Sequence, residues 1–260
     1  MSAPEKLPRH SPENIANDPD SRSVQWTLQL KKYFGFDLDD TLHGFRKASA
    51  AASLAVFEAV QQQSGISIET LKATYTEILR SKTASAFTEG KTSTEYRRDR
   101  FERLLQAHGL ETSDTILERL LNIYKNSLQA ALELKPGALS LLQTLKRLDK
   151  KIIVITEGPQ DAQEWTVQEL GIAPYIDILV TTNEVGKSKV DGLFSIVLEK
   201  YDINAGDIVY VGDNEARDVV PARSEGLLSV LYDERGETRL DKVDGLRVES
   251  LGKLEDILST

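Results

Sequence analysis

Two aspartates separated by one residue, Asp37 and Asp39, follow a short apolar run that begins at Tyr33. Side chains alternate along an extended chain, so these two carboxylates would lie on the same face. One carboxylate can act as a nucleophile, and a second one beside it can exchange a proton with the leaving group. Because acidic turns and helix N-caps give the same pattern, this stretch alone does not decide between chemistry and a turn.

Two further apolar runs end in groups suited to phosphate or metal. The run KIIVIT ends in the hydroxyl of Thr156 and continues into a turn at Gly158, whose backbone amides could hold phosphate oxygens. The run DIVYV is followed by Asp213, with Asp218 five residues later. Oxygen ligands of this kind near Asp37 would suit Mg²⁺.

A loop between these two runs, GKSKVDGLF, carries Lys187 and Lys189. Either ammonium could neutralise a phosphate and the nucleophile. Taken singly, each of these signals is weak, because a loop lysine is usually a solvated charge and a Gly-Asp pair is common at strand ends. The joint order of acid pair, hydroxyl, lysine and second acid pair is far more specific.

The elements that must position these groups alternate between strands and helices after residue 136. This alternation predicts an α/β fold with a doubly wound parallel sheet, whose strands end at one edge of the sheet. Beyond the strand ending before Asp37, we expect strands at 151–156, 176–180, 207–211 and 227–231, and helices at about 160–170 and 192–201. Another helix opens at Pro136, and residues 245–257 predict one more short strand and a closing helix.

A long segment of about 44–133 shows only helical patterns. Helices are expected at 46–63, at 68–81, after a capping box formed by Thr92 and Glu95, and from about residue 113. We therefore predict three regions: a mostly disordered extension over 1–30, a core built from 31–43 and 134–260, and an inserted helical unit over 44–133. Within the extension, Val24, Trp26, Leu28 and Leu30 alternate, and they could instead form a short edge strand or a docking segment.

Composition excludes several classes of function. The 260 residues carry a net charge of −9, which argues against binding to nucleic acid or an anionic membrane. The absence of cysteine excludes disulfides, thiolate nucleophiles and thiolate-bound zinc, and three scattered histidines argue against a histidine metal site. The sequence shows neither a membrane-spanning apolar run nor a signal pattern, so we expect a cytoplasmic protein with a small-molecule substrate.

Taken together and in this order, FGFDLDDTL, IVITEG, the lysine loop and VGDNEARD resemble the haloacid dehalogenase-like superfamily over about residues 33–231. The resemblance implies that Asp37 is the nucleophile, Asp39 the general acid/base and Thr156 the phosphate-binding hydroxyl. It also implies a Rossmann-like core and identifies the helical segment with the cap of the phosphatase branch.

The resemblance further implies one Mg²⁺ ion as cofactor. Its ligands would be Asp37, the backbone carbonyl of Asp39, and Asp213, with Asp218 near or behind them. The chain departs from the family pattern at two places. Glu157 replaces an asparagine, which could weaken phosphate binding unless Glu157 points away or meets an arginine. Val190 replaces a proline, and we favour Lys189 as the phosphate-binding lysine because it directly precedes Val190.

Together with the resemblance, these residues predict a Mg²⁺-dependent phosphomonoester hydrolase that acts on a small phosphorylated metabolite through an aspartyl-phosphate. The presence of Asp39 argues against a dehalogenase, since that branch lacks the second acid. A sugar-phosphate mutase, a phosphonate hydrolase and a non-catalytic binding protein remain alternatives. A phosphonate hydrolase would need a lysine of the helical segment; its candidates are Lys47, Lys72, Lys82 and Lys91.

The sequence says least about the part of the substrate that lies away from the reacting phosphate. The arginines in TSTEYRRDRFERLL (Arg97, Arg98 and Arg100) and the more distant Arg46 could reach a second anionic group. They could equally form a solvated helix face.

Overall fold

The computed structural model describes residues 19–82, 87, 90–239 and 245–259. Six strands form one sheet in the order β3-β2-β1-β4-β5-β6, and every pairing between these strands is parallel. The strands are β1 Tyr33–Phe36, β2 Lys151–Thr156, β3 Ile178–Thr181, β4 Ile208–Gly212, β5 Leu228–Tyr232 and β6 Arg247–Val248. The predicted α/β fold with a parallel sheet is therefore confirmed.

Helices flank this sheet and fill the long segment between β1 and β2. Those before β2 are α1 Pro19–Leu30, α2 Phe45–Ser64, α3 Ile68–Lys82, α4 Ser93–Ala107, α5 Asp114–Ala131 and α6 Ala138–Arg147. Those after β2 are α7 Gln160–Glu169, α8 Thr182–Val185, α9 Leu193–Lys200, α10 Val220–Ser224 and α11 Leu251–Ser259. No helix in the described part of the chain has both the length and the apolar character that crossing a membrane requires.

Both faces of the sheet are buried, which explains why its strands are almost continuously apolar. Alternate residues face opposite clusters: Phe34 and Phe36 pack on one side, and Ile153 and Ile155 on the other. Gly35 faces the second side, where a Cβ atom would lie 2.8 Å from the ring of Tyr210. The missing side chain therefore makes room for this buried tyrosine directly beneath the carboxyl ends of the strands.

The first described helix corrects one prediction. Residues 19–30 form α1, rather than a disordered extension or an edge strand; residues 1–18 lie outside the described part of the chain. Val24 and Leu28, four residues apart, are buried in the core, whereas Trp26 and Leu30 are exposed. Residues at every second position share one face of a strand, whereas in a helix only those three or four apart share a face, so the alternation indicated the wrong element.

Helices α2–α5, here called the helical unit, share a hydrophobic cluster of their own. Phe57, Tyr75, Phe101 and Tyr124 contact one another edge-on, tilted or stacked inside it. The predicted capping box of Thr92 and Glu95 is present at the start of α4. Burial of a side chain the size of Phe101 contributes about 1.5–3 kcal/mol, so this cluster stabilises the unit apart from the sheet.

Two chain segments connect the helical unit to the sheet, and they run side by side. The backbone amide of Gly44 donates to the carbonyl of Glu133 at 3.0 Å, and that of Lys135 donates to the carbonyl of Leu42 at 2.9 Å. An exposed ion pair of 2.8 Å joins Lys47 to Glu133 at the same place.

Candidate active site

The carboxyl ends of neighbouring strands bring the predicted acids together. Asp37 follows β1 and Asp213 follows β4, the two strands between which the chain changes direction across the sheet. Crevices at such a point are the usual ligand sites of open α/β sheets. Asp218 joins them from the turn of π-helix Glu215–Val219, and one carboxylate oxygen from each of the three lies within 4.8 Å of the others.

Lys189 lies inside this acid cluster. Its Nζ donates to Asp37 Oδ1 at 2.5 Å and to Asp218 Oδ1 at 2.6 Å, and its side chain is only 3% exposed. Lys187 is exposed. Of the two lysines that the sequence offered, the structure therefore brings Lys189 to the predicted nucleophile and leaves Lys187 in solvent.

Burial and crowding of acids set the protonation of the cluster. Burial raises the pKa of Asp37 well above its usual value, and the charges of Asp218 and Asp39 act in the same direction, against Lys189. Burial would lower the pKa of Lys189, but the carboxylates of Asp37 and Asp218 outweigh it and raise that pKa. Burial also raises the pKa of Asp213. Lys189 thus bonds to two of the three acids, and the exposed Arg46 reaches the third, Asp213, at 3.2 Å, so a single buried cation stands among three acids.

Several contacts fix Asp218 in the cluster. Its Oδ2 accepts from the backbone amide of Asn214 at 3.0 Å, and its Oδ1 lies 3.3 Å from the hydroxyl of Tyr210. That hydroxyl donates to the carbonyl of Ile155 at 2.7 Å, which connects β4 to β2. A Cβ atom on Gly212 would lie 2.4 Å from Asp218 Cβ, so only glycine allows this approach.

Asp39 stands apart from the three clustered acids. Its Oδ1 lies 2.9 Å from His43 Nε2, and its Oδ2 accepts from Gln163 Nε2 at 3.3 Å. Both partners are buried, and neither was predicted. A carboxylate only accepts hydrogen bonds, so His43 donates through Nε2. Two donors therefore hold the Asp39 side chain while leaving part of it exposed.

The threonine hydroxyl groups near the strand ends differ in their hydrogen bonding. Thr156 is fully buried, and its Oγ1 has no hydrogen-bond partner among the described residues. Thr41, which the sequence analysis did not single out, accepts from the backbone amide of Asp213 at 3.0 Å. The backbone amide of Gly158 donates to Thr182 Oγ1 at 3.1 Å, so this one of the turn's amides is already bonded within the protein.

A cavity of about 1050 Å³ lies between the sheet edge and the helical unit. Asp37, Asp39, Lys189, Asp213 and Asp218 line it from the sheet, and Arg97, Arg100 and Lys72 line it from the helical unit. Arg46 also lines it but bonds to Asp40 and Asp213, and Arg98 pairs with Asp114. Five of the predicted site residues therefore line one cavity. Of the four candidate arginines, Arg46, Arg97 and Arg100 line it and Arg98 does not.

Residues 31–226 match the haloacid dehalogenase-like hydrolases. The chain belongs to this family. A ribulose-1,5-bisphosphate 5-phosphatase of Halopiger xanaduensis is 25% identical over 236 residues, 86% of this chain and 98% of the relative. A glyceraldehyde 3-phosphate phosphatase of Methanocaldococcus jannaschii is 29% identical over 230 residues, 86% of this chain and 95% of the relative. A magnesium-bound structure of the putative hydrolase YfnB of Bacillus subtilis matches with a TM-score of 0.67 and 22% identity, covering 88% of this chain and 99% of that one.

Within this haloacid dehalogenase-like site, Glu157 meets an arginine. Its Oε2 accepts from Arg217 Nε at 2.6 Å and also from the terminal Nη2 of the same guanidinium. Its Oε1 accepts from the backbone amide of Lys189 at 3.0 Å. The negative charge at this position is thus neutralised by Arg217, which no feature of the sequence had indicated.

Proposed function

We propose that the chain is a Mg²⁺-dependent phosphomonoester hydrolase that forms an aspartyl-phosphate on Asp37. The observation that carries this proposal is the pair of separately held acids. Asp37 contacts Lys189, whereas Asp39, two residues on, is held by His43 and Gln163 at the wall of the same cavity. A nucleophile and an independently placed proton carrier are what hydrolysis of a phosphate ester requires.

The relatives support the phosphatase branch of the family. Two proteins that the chain matches over most of their length are named as phosphatases of phosphorylated sugars or trioses. A haloacid dehalogenase attacks carbon and has no need of a second acid at the position of Asp39. The presence of Asp39, fixed by hydrogen bonds to His43 and Gln163, therefore favours attack on phosphorus.

The side chains of this chain divide the work of the reaction. Asp37 attacks the phosphorus atom in line, and Lys189 spreads the charge that develops on the phosphoryl oxygens. Asp39, protonated at that moment, gives its proton to the leaving alcohol and then takes one from the water that attacks the phospho-aspartate. The hydroxyl of Thr156 has no partner among the described residues, but it is buried outside the cavity lining, so its proposed bond to a phosphoryl oxygen needs a local rearrangement.

The acid cluster fits a magnesium ion on two grounds. Its donor set consists of oxygens, which Mg²⁺ prefers, and its carboxylates outnumber the buried cation beside them. Asp37 and Asp213 would hold the ion, with Asp218 beside them and the backbone carbonyl of Asp39 as a further ligand. When bound, the ion would offset the charge of these acids and of the phosphoryl group.

We assign the helical unit the role of a cap. It supplies one wall of the cavity and joins the sheet through only two adjacent segments, near Gly44 and Glu133. A cap in this place would exclude water from the aspartyl-phosphate until the leaving alcohol has gone.

Hydrolysis of p-nitrophenyl phosphate with Mg²⁺, its loss in EDTA, and phosphate release across small phosphate esters test the function. We expect Asp39→Asn to lower kcat by about 10²–10⁴-fold. Asp149→Asn is the matched control, because it makes the same change at a distant exposed site where the positive φ of 56° suits asparagine equally. Near-normal turnover by Asp39→Asn would contradict the assignment, and isomerised sugar phosphate without free phosphate would indicate a mutase.

A further inference from the structure

The arginines of helix α4 fall into two groups: some form ion pairs, and others line the cavity. Arg98 pairs with Asp114, and Arg103 pairs with Asp99 at 3.3 Å, so the charges of both are balanced within the helical unit. Arg97 and Arg100 line the cavity. Within the described part of the chain, neither of these two has a carboxylate at ion-pair distance.

Aromatic rings hold the two cavity arginines in place. The guanidinium of Arg97 lies 5.0 Å from the ring centre of Tyr124, and that of Arg100 lies 5.8 Å from the ring centre of Phe87. Arg97 also donates to Ser93 Oγ at 3.0 Å. These contacts orient the guanidinium groups, but none of them supplies a negative charge. Both side chains are half-buried and keep donors for a further acceptor.

The cavity therefore has two ends of different charge. Acids and Lys189 form the sheet end, and the two arginines stand on the helical wall. Glu69 and Lys72 also line the helical wall, but they are exposed, lie one turn apart on α3 and carry opposite charges. At about 1050 Å³ the cavity is at the upper end of ordinary ligand sites and holds far more than a phosphate group.

We propose that the substrate is a phosphomonoester with a second anionic group, a phosphate or a carboxylate, which Arg97 and Arg100 bind while the first phosphate meets Asp37. This inference rests on the proposed phosphatase function and specifies its substrate class. A guanidinium group presents paired donors that match the oxygens of either anion. The rings beside the two arginines, Tyr124 buried and Phe87 half-buried, strengthen the attraction by excluding water.

Four probes separate the parts of this proposal. A sugar bisphosphate and a phosphorylated hydroxy acid carry a second anion of each kind, a sugar monophosphate lacks one, and p-nitrophenyl phosphate reports on the chemistry alone. We expect the wild-type enzyme to prefer the first two by kcat/KM. We expect Arg97→Gln and Arg100→Gln to raise KM for the preferred class by about ten- to a hundredfold. Hydrolysis of p-nitrophenyl phosphate, which has no second anion, should fall far less than hydrolysis of the preferred class.

Arg98→Gln, which removes the neighbouring charge paired with Asp114, is the matched control and should leave all four reactions unchanged. Arg97→Lys keeps the charge but loses the paired donors, so partial recovery is expected. If p-nitrophenyl phosphate is hydrolysed but a second anion brings no preference, the inference is overturned and the phosphatase function stands. Equal losses on all substrates would assign the arginines a structural role, and absence of hydrolysis of every probe would reject both proposals.

Discussion

The sheet-edge wall of the cavity and its helical wall hold their charged side chains in different ways. On the sheet edge, Lys189 is buried and bonds to both Asp37 and Asp218, so its positive charge is taken up within the protein. On the helical wall, Arg97 and Arg100 lean on aromatic rings and have no described carboxylate beside them. The buried cation of the sheet edge is thus already bonded to carboxylates, whereas the arginines of the helical wall can still pair with an anionic ligand.

This difference separates reaction from specificity. Displacing one member of a buried network disturbs its neighbours, so changes at the sheet edge should affect every substrate alike. Changes on the helical wall should affect only substrates that reach it. The three substitutions below test this division, beginning with the largest expected effect.

Gly212→Ala should disrupt the sheet-edge network most. The new Cβ would lie 2.4 Å from Asp218 Cβ and Cγ, so Asp218 must move, which disturbs its bond to Lys189. Because misplacing a catalytic group by about 1 Å can cost about a hundredfold in rate, we expect a loss of that order on all substrates. Steady-state kinetics with p-nitrophenyl phosphate and two sugar phosphates measure it.

Gly245→Ala is the control for this substitution, since a Cβ there meets no atom within 4 Å. The two variants should differ in activity while both keep a cooperative thermal transition. A loss confined to one substrate by Gly212→Ala would break the division between the walls.

Gln163→Leu should have an intermediate effect. It removes one of the two side-chain donors to Asp39 and leaves His43 in place. Loss of one hydrogen bond to a charged group, worth roughly 1.5 kcal/mol, should lower kcat about tenfold without changing KM. Gln168→Ala, an exposed change on the same helix, should leave kcat unaltered. An altered KM with normal kcat would show that Gln163 serves binding instead.

Tyr124→Phe should have the smallest effect. The phenol oxygen of Tyr124 lies 3.0 Å from Ser49 Oγ and links α5 to α2, whereas its ring supports Arg97. The free energy of unfolding, measured by urea denaturation, should fall by about 1 kcal/mol. Turnover of p-nitrophenyl phosphate should stay normal. A tenfold loss of that turnover would mean that the helical wall takes part in the chemistry.

The sheet and the positions of Asp37 and Asp213 were predictable because parallel strands end at one edge, whereas Lys189 lies between α8 and α9 and could be favoured over Lys187 only through the family resemblance. Apolar runs mark the strands, and the first polar residue after each run must lie near that edge. Asp37 and Asp213 lie close together because β1 and β4 are neighbours in the sheet. That adjacency is seen only in the strand order of the structure. Local patterns likewise located the capping box of α4.

The partners of Asp39 and Glu157 were not predictable, because each depends on the rotation of a helix or turn about its own axis. Gln163 and Arg217 belong to no recognisable spacing with the acids that they bond. The same limit applied to α4: its arginines are close in sequence, and only packing shows which of them face the cavity. The alternation in α1 was misleading because the segment is too short to distinguish the two periods.

The bond between Glu157 and Arg217 has a consequence for how members of this family vary. Asparagine at position 157 would leave the guanidinium of Arg217 without a carboxylate partner beside the backbone amide of Lys189. Loss of Arg217 alone would leave the carboxylate of Glu157 facing the substrate. Neither replacement is neutral by itself, so the two positions should covary, with Glu and Arg inherited together or lost together. Sequences that retain this couple would form a recognisable subgroup even where their overall identity is low.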